Sequence, residues 1–404
     1  MTKINMKFKR SAEKGAMGSI YYEVVHQGHR KSIKAGIVCL ASEWDGQQKR
    51  LKRLRDVYPD TRRMQIESDM KMLRAVIERL ERRVKGYTAC EVRDEYLKRR
   101  QRSLVATFMR DEVERMEKGG RFGTARAYRK TMDSFSAYLG CCNMTFCGIT
   151  PMLIDGYAAY LLRRGVRRNT LSFYMRVLRA AYNRAVKLGL AEQALPFRNV
   201  YTGVDKTDKR AVDFDSIMKL NRLELEKGSE LGLARDMFMF SFLTRGMTFV
   251  DMAWLKKEEV ANGEIHYKRH KTGQMLQIRI NDNIGAIIRR YDRPGSLYVF
   301  PVIGCEGGMR AFTDCQTGLS LYNRRLKKLA AMIGLDRPLT SYTARHSWAT
   351  AAYRMGVPLQ LISAGMGHTK EETTRIYLAS LENWKIDNAN DSIARMLTGR
   401  GRRR

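Results

Sequence analysis

Two short runs near the start have the β-branched and aromatic content of strands: Ser19-Ile20-Tyr21-Tyr22-Glu23-Val24-Val25 and Lys31-Ser32-Ile33-Lys34-Ala35-Gly36-Ile37-Val38. The turn-forming residues His26 to Arg30 separate them, which predicts a hairpin. The hydrophobic period then changes. Leu73, Val76, Ile77, Leu80 and Val84 recur at intervals of three and four, as on one face of a helix. Thr88 and Glu91 have the spacing of a capping box, and from there the pattern is helical. Helices are predicted over 88–118 with a break near Ser103, and over 124–139, 151–163 and 169–188. Gly119-Gly120, Gly140, Thr150-Pro151 and Gly189 punctuate them.

The polar run Tyr201 to Arg210 reads as a charged interdomain linker between two bodies. Beyond it, helices are predicted over 215–227 and 230–242, the second with Leu231, Ala234, Phe238 and Phe242 on its core face. Alternation over 263–280 gives a hairpin, with Ile265 and Tyr267 before the turn Lys271-Thr272-Gly273-Gln274 and Leu276, Ile278 and Ile280 after it. Three short helical segments end the pattern: one from Thr340, one after Pro358 that breaks at Gly365-Met366-Gly367-His368, and one over 370–382.

Charge changes this picture more than composition does. The 404 residues carry a net +33, spread as +12, +11 and +10 over residues 1–100, 101–210 and 211–404. A surplus on every segment, rather than in one tail, is expected of a protein that meets a polyanion along its length. Residues 156–191 hold no acid, yet carry Arg163, Arg164, Arg167, Arg168, Arg176, Arg179, Arg184 and Lys187. With Asn169, Thr170, Ser172 and Tyr174 beside them, these arginines are candidate contacts for phosphates and base edges of double-stranded DNA. No long apolar span or amphipathic anchor argues for a membrane, and Met1 to Lys7 lacks the apolar core of a signal peptide, so a cytoplasmic protein is expected. The seven cysteines form no C-x-x-C pair, which speaks against a disulfide framework or a thiolate metal site.

The chemistry concentrates between Thr340 and Leu378. Arg345 sits in the first turns of a helix, where backbone N–H groups favour an anion, and His368 and Tyr377 follow in the next two helical segments. An arginine, a histidine and a tyrosine in succession suit phosphoryl transfer, which needs charge stabilisation and a nucleophile. The order Arg345-His346, then Gly367-His368, then Thr373-Thr374 and Tyr377 resembles the C-terminal signature of the tyrosine recombinases, the phage-integrase family. Lys271-Thr272-Gly273 in a β-turn resembles the family's mobile catalytic lysine. The acid-free stretch is similar to its core-binding domain, and the first 87 residues, with Ser42-Glu43-Trp44-Asp45 at a corner, resemble the arm-type domain of some integrases.

The resemblance implies a mainly α fold with small β elements: an α+β arm-type domain (1–87), a helical SAM-like core-binding domain (88–200), a linker (201–212), an α+β catalytic domain (213–385) and a tail (386–404). It implies Tyr377 as nucleophile, a 3′-phosphotyrosyl intermediate, Arg345 and His368 on the phosphate oxygens, and Lys271 as the acid for the leaving 5′ oxygen. It also implies a bacterial enzyme without metal or cofactor that works as a tetramer on two duplexes. A host DNA-bending protein and an excision factor are implied partners, and residues 378–397 would pack on a neighbour. Two positions depart from the family pattern. Thr248 stands where an arginine three residues before Asp251 is expected, which makes Arg245, three residues earlier, the candidate replacement if the backbone is helical there. Tyr342 stands where a histidine is expected; a phenol donates a hydrogen bond to phosphate but is a poor base at neutral pH. The expected function is integration and excision of a mobile element, with a phase-variation invertase or an inactive architectural DNA-binding protein as alternatives.

Overall fold

The computed structural model describes residues 2–11, 17–52, 60–83, 86–140, 144–205, 211–378 and 390–395, and the side chains of 376–378 lie outside that description. The chain divides into two compact units, Met1–Lys206 and Thr207–Arg404.

The first unit opens with three antiparallel strands in the order β1-β2-β3: β1 (Lys3–Lys9), β2 (Gly18–His26) and β3 (His29–Cys39). Strands β2 and β3 meet in a two-residue turn, tighter than the sequence suggested, because Gln27 and Gly28 both take positive φ and His26 pairs with His29. A small ribbon follows, β4 (Trp44–Asp45) with β5 (Arg50–Leu51). At this corner Glu43 accepts two hydrogen bonds from the Arg62 guanidinium, each 3.1 Å. One face of the sheet, with Ile20, Tyr22, Val24, Ile33 and Ile37, packs on Leu73, Val76 and Leu80 of helix α1 (Thr61–Glu81). The same core takes in Ala89, Val92 and Tyr96 of α2 (Ala89–Ser103), whose Thr88–Glu91 capping box is formed as the sequence predicts. Buried Asp69 accepts from Tyr22 Oη (3.0 Å) and Arg100 Nε (3.1 Å), tying sheet and both helices together. Val84 lies outside the described residues.

The predicted break falls at Leu104, which is extended and bridges to Thr145. Helices α3 (Val105–Lys118), α4 (Phe122–Leu139), α5 (Pro151–Arg163) and α6 (Arg168–Lys187) then enclose a second core that includes Phe135, Phe146, Tyr157, Met175 and Tyr182. Each such side chain fully buried stabilises by roughly 1.5–3 kcal/mol.

The second unit begins with α7 (Phe214–Arg222), N-capped by Asp213 and shorter than expected because the chain turns extended at Leu223. Helix α8 (Glu230–Leu243) is the centre of this unit. Asp236 to Ser241 are buried in succession, so α8 buries most of its circumference rather than the one face that its sequence suggested. Around it lie α9 (Phe249–Ala253), the sheet β6 (Val260–Ala261), β7 (Glu264–Lys268) and β8 (Met275–Arg279), α10 (Asp282–Tyr291) and the 25-residue α11 (Gly308–Met332). The last three helices are α12 (Thr343–Arg354), α13 (Leu359–Gly365) and α14 (Glu371–Leu378). Among the described residues no helix is long and apolar enough to cross a membrane.

Candidate active site

Helix α8 ends in a left-handed turn that shapes everything beside it. Thr244 caps the helix, Arg245 (φ 59°) and Gly246 (φ 79°) follow in the left-handed region, and Gly246 N–H donates back to Ser241 O at 2.7 Å. The helical backbone that would put Arg245 and Thr248 on one face is therefore absent. Gly246 is needed twice. Its φ favours glycine, and an added Cβ would lie 2.6 Å from Cγ and 2.8 Å from Cα of Arg345. This close approach lets Arg345 Nη1 donate to Gly246 O at 2.7 Å.

Arg345 stands in the first turn of α12, only 2% exposed, as the sequence places it. Its Nη2 donates to Met366 O at 2.6 Å and lies 2.9 Å from His368 Nε2. A guanidinium can only donate, so Nε2 is the acceptor and the imidazole carries its proton on Nδ1. That N–H donates to Oγ1 of the buried Thr374 in α14 at 2.7 Å. Burial and the neighbouring charges of Arg345, Arg269 and Lys271 push the His368 pKa down from 6.5 to about 3. His368 is thus a neutral imidazole, fixed in one tautomer and one orientation.

Thr248, in the place of the expected arginine, has work of its own. It N-caps α9 and donates its hydroxyl to Asp251 Oδ2 at 2.7 Å, while Asp251 Oδ1 accepts the His270 N–H at 2.9 Å. Asp251 thereby ties α9 to the six-residue loop between β7 and β8. That loop presents Lys271, exposed, and a buried arginine that is not among the residues expected from the sequence. Arg269 is 5% exposed, donates through Nη1 to Gly367 O and points Nε towards Asp251 Oδ2 at 3.8 Å. Arg269 and Arg345 therefore hold the carbonyls of consecutive residues, Gly367 and Met366, where α13 ends and its own carbonyls lack helical partners. No spacing motif marks Arg269; an arginine two residues before the loop lysine is the one available hint.

The remaining candidates divide. Arg245 donates Nη1 to Gln277 O at 3.4 Å at the protein surface, and its Cδ lies 3.4 Å from where a Cβ on Gly365 would be. Tyr342 is the N-cap of α12, 45% exposed, with its ring tilted 6.1 Å from that of His346. Tyr377 follows Thr374 by three positions on α14, and its side chain lies outside the described residues. Residues 378–397, expected to pack on a neighbour, fall mostly outside them as well.

On α5, α6 and the turn between them, Arg163, Arg164, Arg167, Arg168, Thr170 and Arg176 are exposed, and Tyr174 and Arg179 partly so. Ser172 and Asn169 are not available to a ligand as the sequence suggested. Ser172 is buried and donates to Gly203 O at 2.5 Å, and the Asn169 amide exchanges two hydrogen bonds with the Asp205 backbone, 2.7 and 3.1 Å. Arg168 is drawn the same way, its guanidinium 4.1 Å over the Tyr201 ring and 3.8 Å from Asp205 Oδ2. Asn169 and Ser172 of the α6 polar stripe are covered by the chain's own segment 201–205, while Thr170 and the exposed arginines stay accessible. The linker residues 206–210 lie outside the described residues.

Residues 104–200 match the phage integrase SAM-like domain, and residues 225–383 match the phage integrase family. The chain is 41% identical over 54 residues to tyrosine recombinase XerD of Halalkalibacterium halodurans, covering 13% of this chain and 18% of that protein. It is 36% identical over 100 residues to an integrase/recombinase of Escherichia coli, covering 23% and 29%. The chain thus spans under a third of the length of these two relatives. Tyrosine recombinase XerC of Alcanivorax borkumensis is 22% identical over 264 residues, 63% of this chain and 82% of its own. Among solved structures, a lambda integrase dimer bound to a COC' core site has a TM-score of 0.51 at 14% identity, covering 88% of this chain and 91% of that one. The Tn1549 transposon integrase in complex with transposon right end DNA has a TM-score of 0.50 at 14% identity, covering 68% and 94%. These two likenesses are of fold.

Proposed function

The chain belongs to the tyrosine recombinases of the integrase family, and on that premise we propose that it cuts and rejoins double-stranded DNA at specific sites to integrate and excise a mobile element. The observation that carries this reading is the buried Arg345 locked against the neutral, tautomer-fixed His368, beside the loop that presents Lys271. Such a pair offers the fixed guanidinium of Arg345 to an anion while His368 holds it in place without changing protonation, which is what a phosphodiester passing through a more highly charged transition state requires.

In the reaction, the Tyr377 phenol gives up its proton to water or to a non-bridging phosphate oxygen as its oxygen attacks the scissile phosphorus, forming a 3′-phosphotyrosyl bond and breaking the bond to the 5′ oxygen. Lys271 gives that oxygen its proton, and the free 5′-hydroxyl of a partner strand later reverses the step. Arg345 holds a non-bridging oxygen. The imidazole of His368 can give a proton to phosphate only by exchanging its tautomer, so its role is to orient Arg345 and to close the pocket towards α14. The tetrameric synapse, the DNA-bending protein and the excision factor belong to this same reading, in which a single protomer cuts one strand and four are needed for two duplexes.

The test is a junction amplification on cells carrying the gene, wild type against Tyr377→Phe. A circular-element junction in wild type alone is the expected result. An inverted-segment junction with the same dependence would make the protein an invertase. Junctions independent of Tyr377 would sink the catalytic reading and leave a DNA-binding architectural protein.

A further inference from the structure

We propose that Arg269, on the loop between β7 and β8, supplies the second guanidinium that holds the scissile phosphate, and that Arg245 does not. The inference rests on the recombinase reading above and assigns a residue within that site.

Arg269 is buried here at a cost that its partners among the described residues offset only in part. Arg345 and Arg269 are 2% and 5% exposed and grip the carbonyls of Met366 and Gly367, which are consecutive residues. The neutral Gly367 carbonyl does not cancel the charge of Arg269. The carboxylate nearest Arg269 is Asp251, whose Oδ2 is 3.8 Å from Arg269 Nε and already accepts the Thr248 hydroxyl; the Nε–H has no hydrogen-bond partner among the described residues. A buried guanidinium left in that state is costly unless an anion completes it. The geometry names the anion. Gly367 links the two gripped carbonyls to His368, and Lys271 is two residues from Arg269, so an oxyanion that meets Arg345 is also beside Arg269.

Arg245 lacks these properties. Its guanidinium reaches along the surface to the backbone of β8 at 3.4 Å. Its left-handed backbone aims it from the end of α8 rather than from the helix that would carry the expected arginine. Thr248 and Asp251 also fit the assignment. The threonine fixes the carboxylate, and the carboxylate holds the His270 N–H and thereby the loop on which Arg269 and Lys271 sit. The charge that the family's motif places at position 248 is delivered here from the β-hairpin instead.

The experiment measures single-turnover formation of the covalent Tyr377 adduct on a nicked duplex that carries the junction sequence recovered from cells. The scissile group is either a phosphodiester or a methylphosphonate, whose methyl group replaces one charged oxygen. Arg269→Ala is expected to lose about 10²–10³ in cleavage rate on the phosphodiester and to recover most of that loss on the methylphosphonate, where the charge it neutralises is gone. Arg245→Ala is expected to cleave the phosphodiester within a few-fold of wild type, on the order of a single surface backbone contact. Recovery on the neutral substrate also shows that the variant is folded, and Arg269→Lys, which keeps the charge, is expected to fall between. Arg269→Ala cleaving both substrates like wild type would overturn the assignment, as would an equal loss on both, which marks a strut for Gly367. Wild-type protein that forms no adduct on either duplex overturns the recombinase reading itself.

Discussion

His368 is where the chemistry of single residues leaves a measurable trace. Its folded pKa, about 3, lies below the 6.5 of an exposed imidazole, so between those values the unfolded chain binds a proton that the folded chain does not. Stability therefore rises with pH through that window and is lost as pH falls from 6.5 towards 3. A thermal-denaturation series from pH 7 to 4 is expected to fall more steeply for wild type than for His368→Asn, which keeps polarity but does not titrate. Parallel curves would mean that His368 is not buried against Arg345 as described. Arg245 yields a prediction of the opposite sign. A non-glycine residue in the left-handed region costs about 1–2 kcal/mol, and Arg245 stands there with φ 59° at a position where helices usually end in glycine. Arg245→Gly is expected to stabilise the protein by about 1 kcal/mol, a rise in melting temperature of about 2–4 °C for a unit of this size. A fall would show that the arginine's contact with Gln277 outweighs its strain.

At the scale of elements, the end of α8 is the piece on which the site depends, and Gly246 is its weakest point. Gly246→Ala is expected to lose several kcal/mol of stability or to displace Arg345, since the new Cβ meets backbone and inner side-chain atoms that cannot swing away. Adduct formation should then drop by about 10²-fold or more while DNA affinity, carried by many contacts, changes little; loss of both together would indicate global unfolding instead. The same stretch shows what a sequence can and cannot disclose. The hairpin of β7 and β8, the capping box of α2 and the position of Arg345 in the first turn of α12 follow from local rules, and local rules are enough for them. Strand β1 obeys the same rules, with Ile4, Met6 and Phe8 alternating with Lys3, Asn5, Lys7 and Lys9, although it is not among the predicted elements. Helices α10 and α11 likewise carry helical periodicity without having been predicted. Arg269 and the covered faces of Ser172 and Asn169 belong to another class. They depend on which segments return to pack on which, Gly367 over the hairpin loop and residues 201–205 over α6, and no periodicity within either segment encodes that meeting.

At the scale of the whole molecule the charge is the dominant fact, and it divides unevenly. Residues 1–206 hold +22 and residues 207–404 hold +11 of the total +33, so the unit without the candidate catalytic residues carries twice the surplus. If this surplus meets DNA phosphates, binding releases counterions, and log affinity falls linearly with log salt at a slope of about −0.9 per phosphate neutralised. A protein that neutralises roughly 6–10 phosphates loses about 10³–10⁵ in affinity between about 50 and 200 mM salt, and that range is expected here. The structure sorts which substitutions should change the slope. Arg163, Arg164 and Arg167 are exposed in a stretch without acids, whereas Ser172 is buried under Gly203. Replacing the three arginines with alanine should lower the slope by about 1 for each phosphate that is no longer neutralised and weaken binding to all sequences alike. Ser172→Ala should leave the slope untouched and cost about 1 kcal/mol of stability through removal of its hydrogen bond. Fluorescence anisotropy across a salt series, on a specific and an unrelated duplex, separates the two. An unchanged slope in the triple variant would move the phosphate-binding surface off α5 and α6 to the other exposed arginines and lysines of the same unit. A changed slope in Ser172→Ala would mean that segment 201–205 lifts from α6 when DNA binds, exposing the polar stripe that it covers in the free protein.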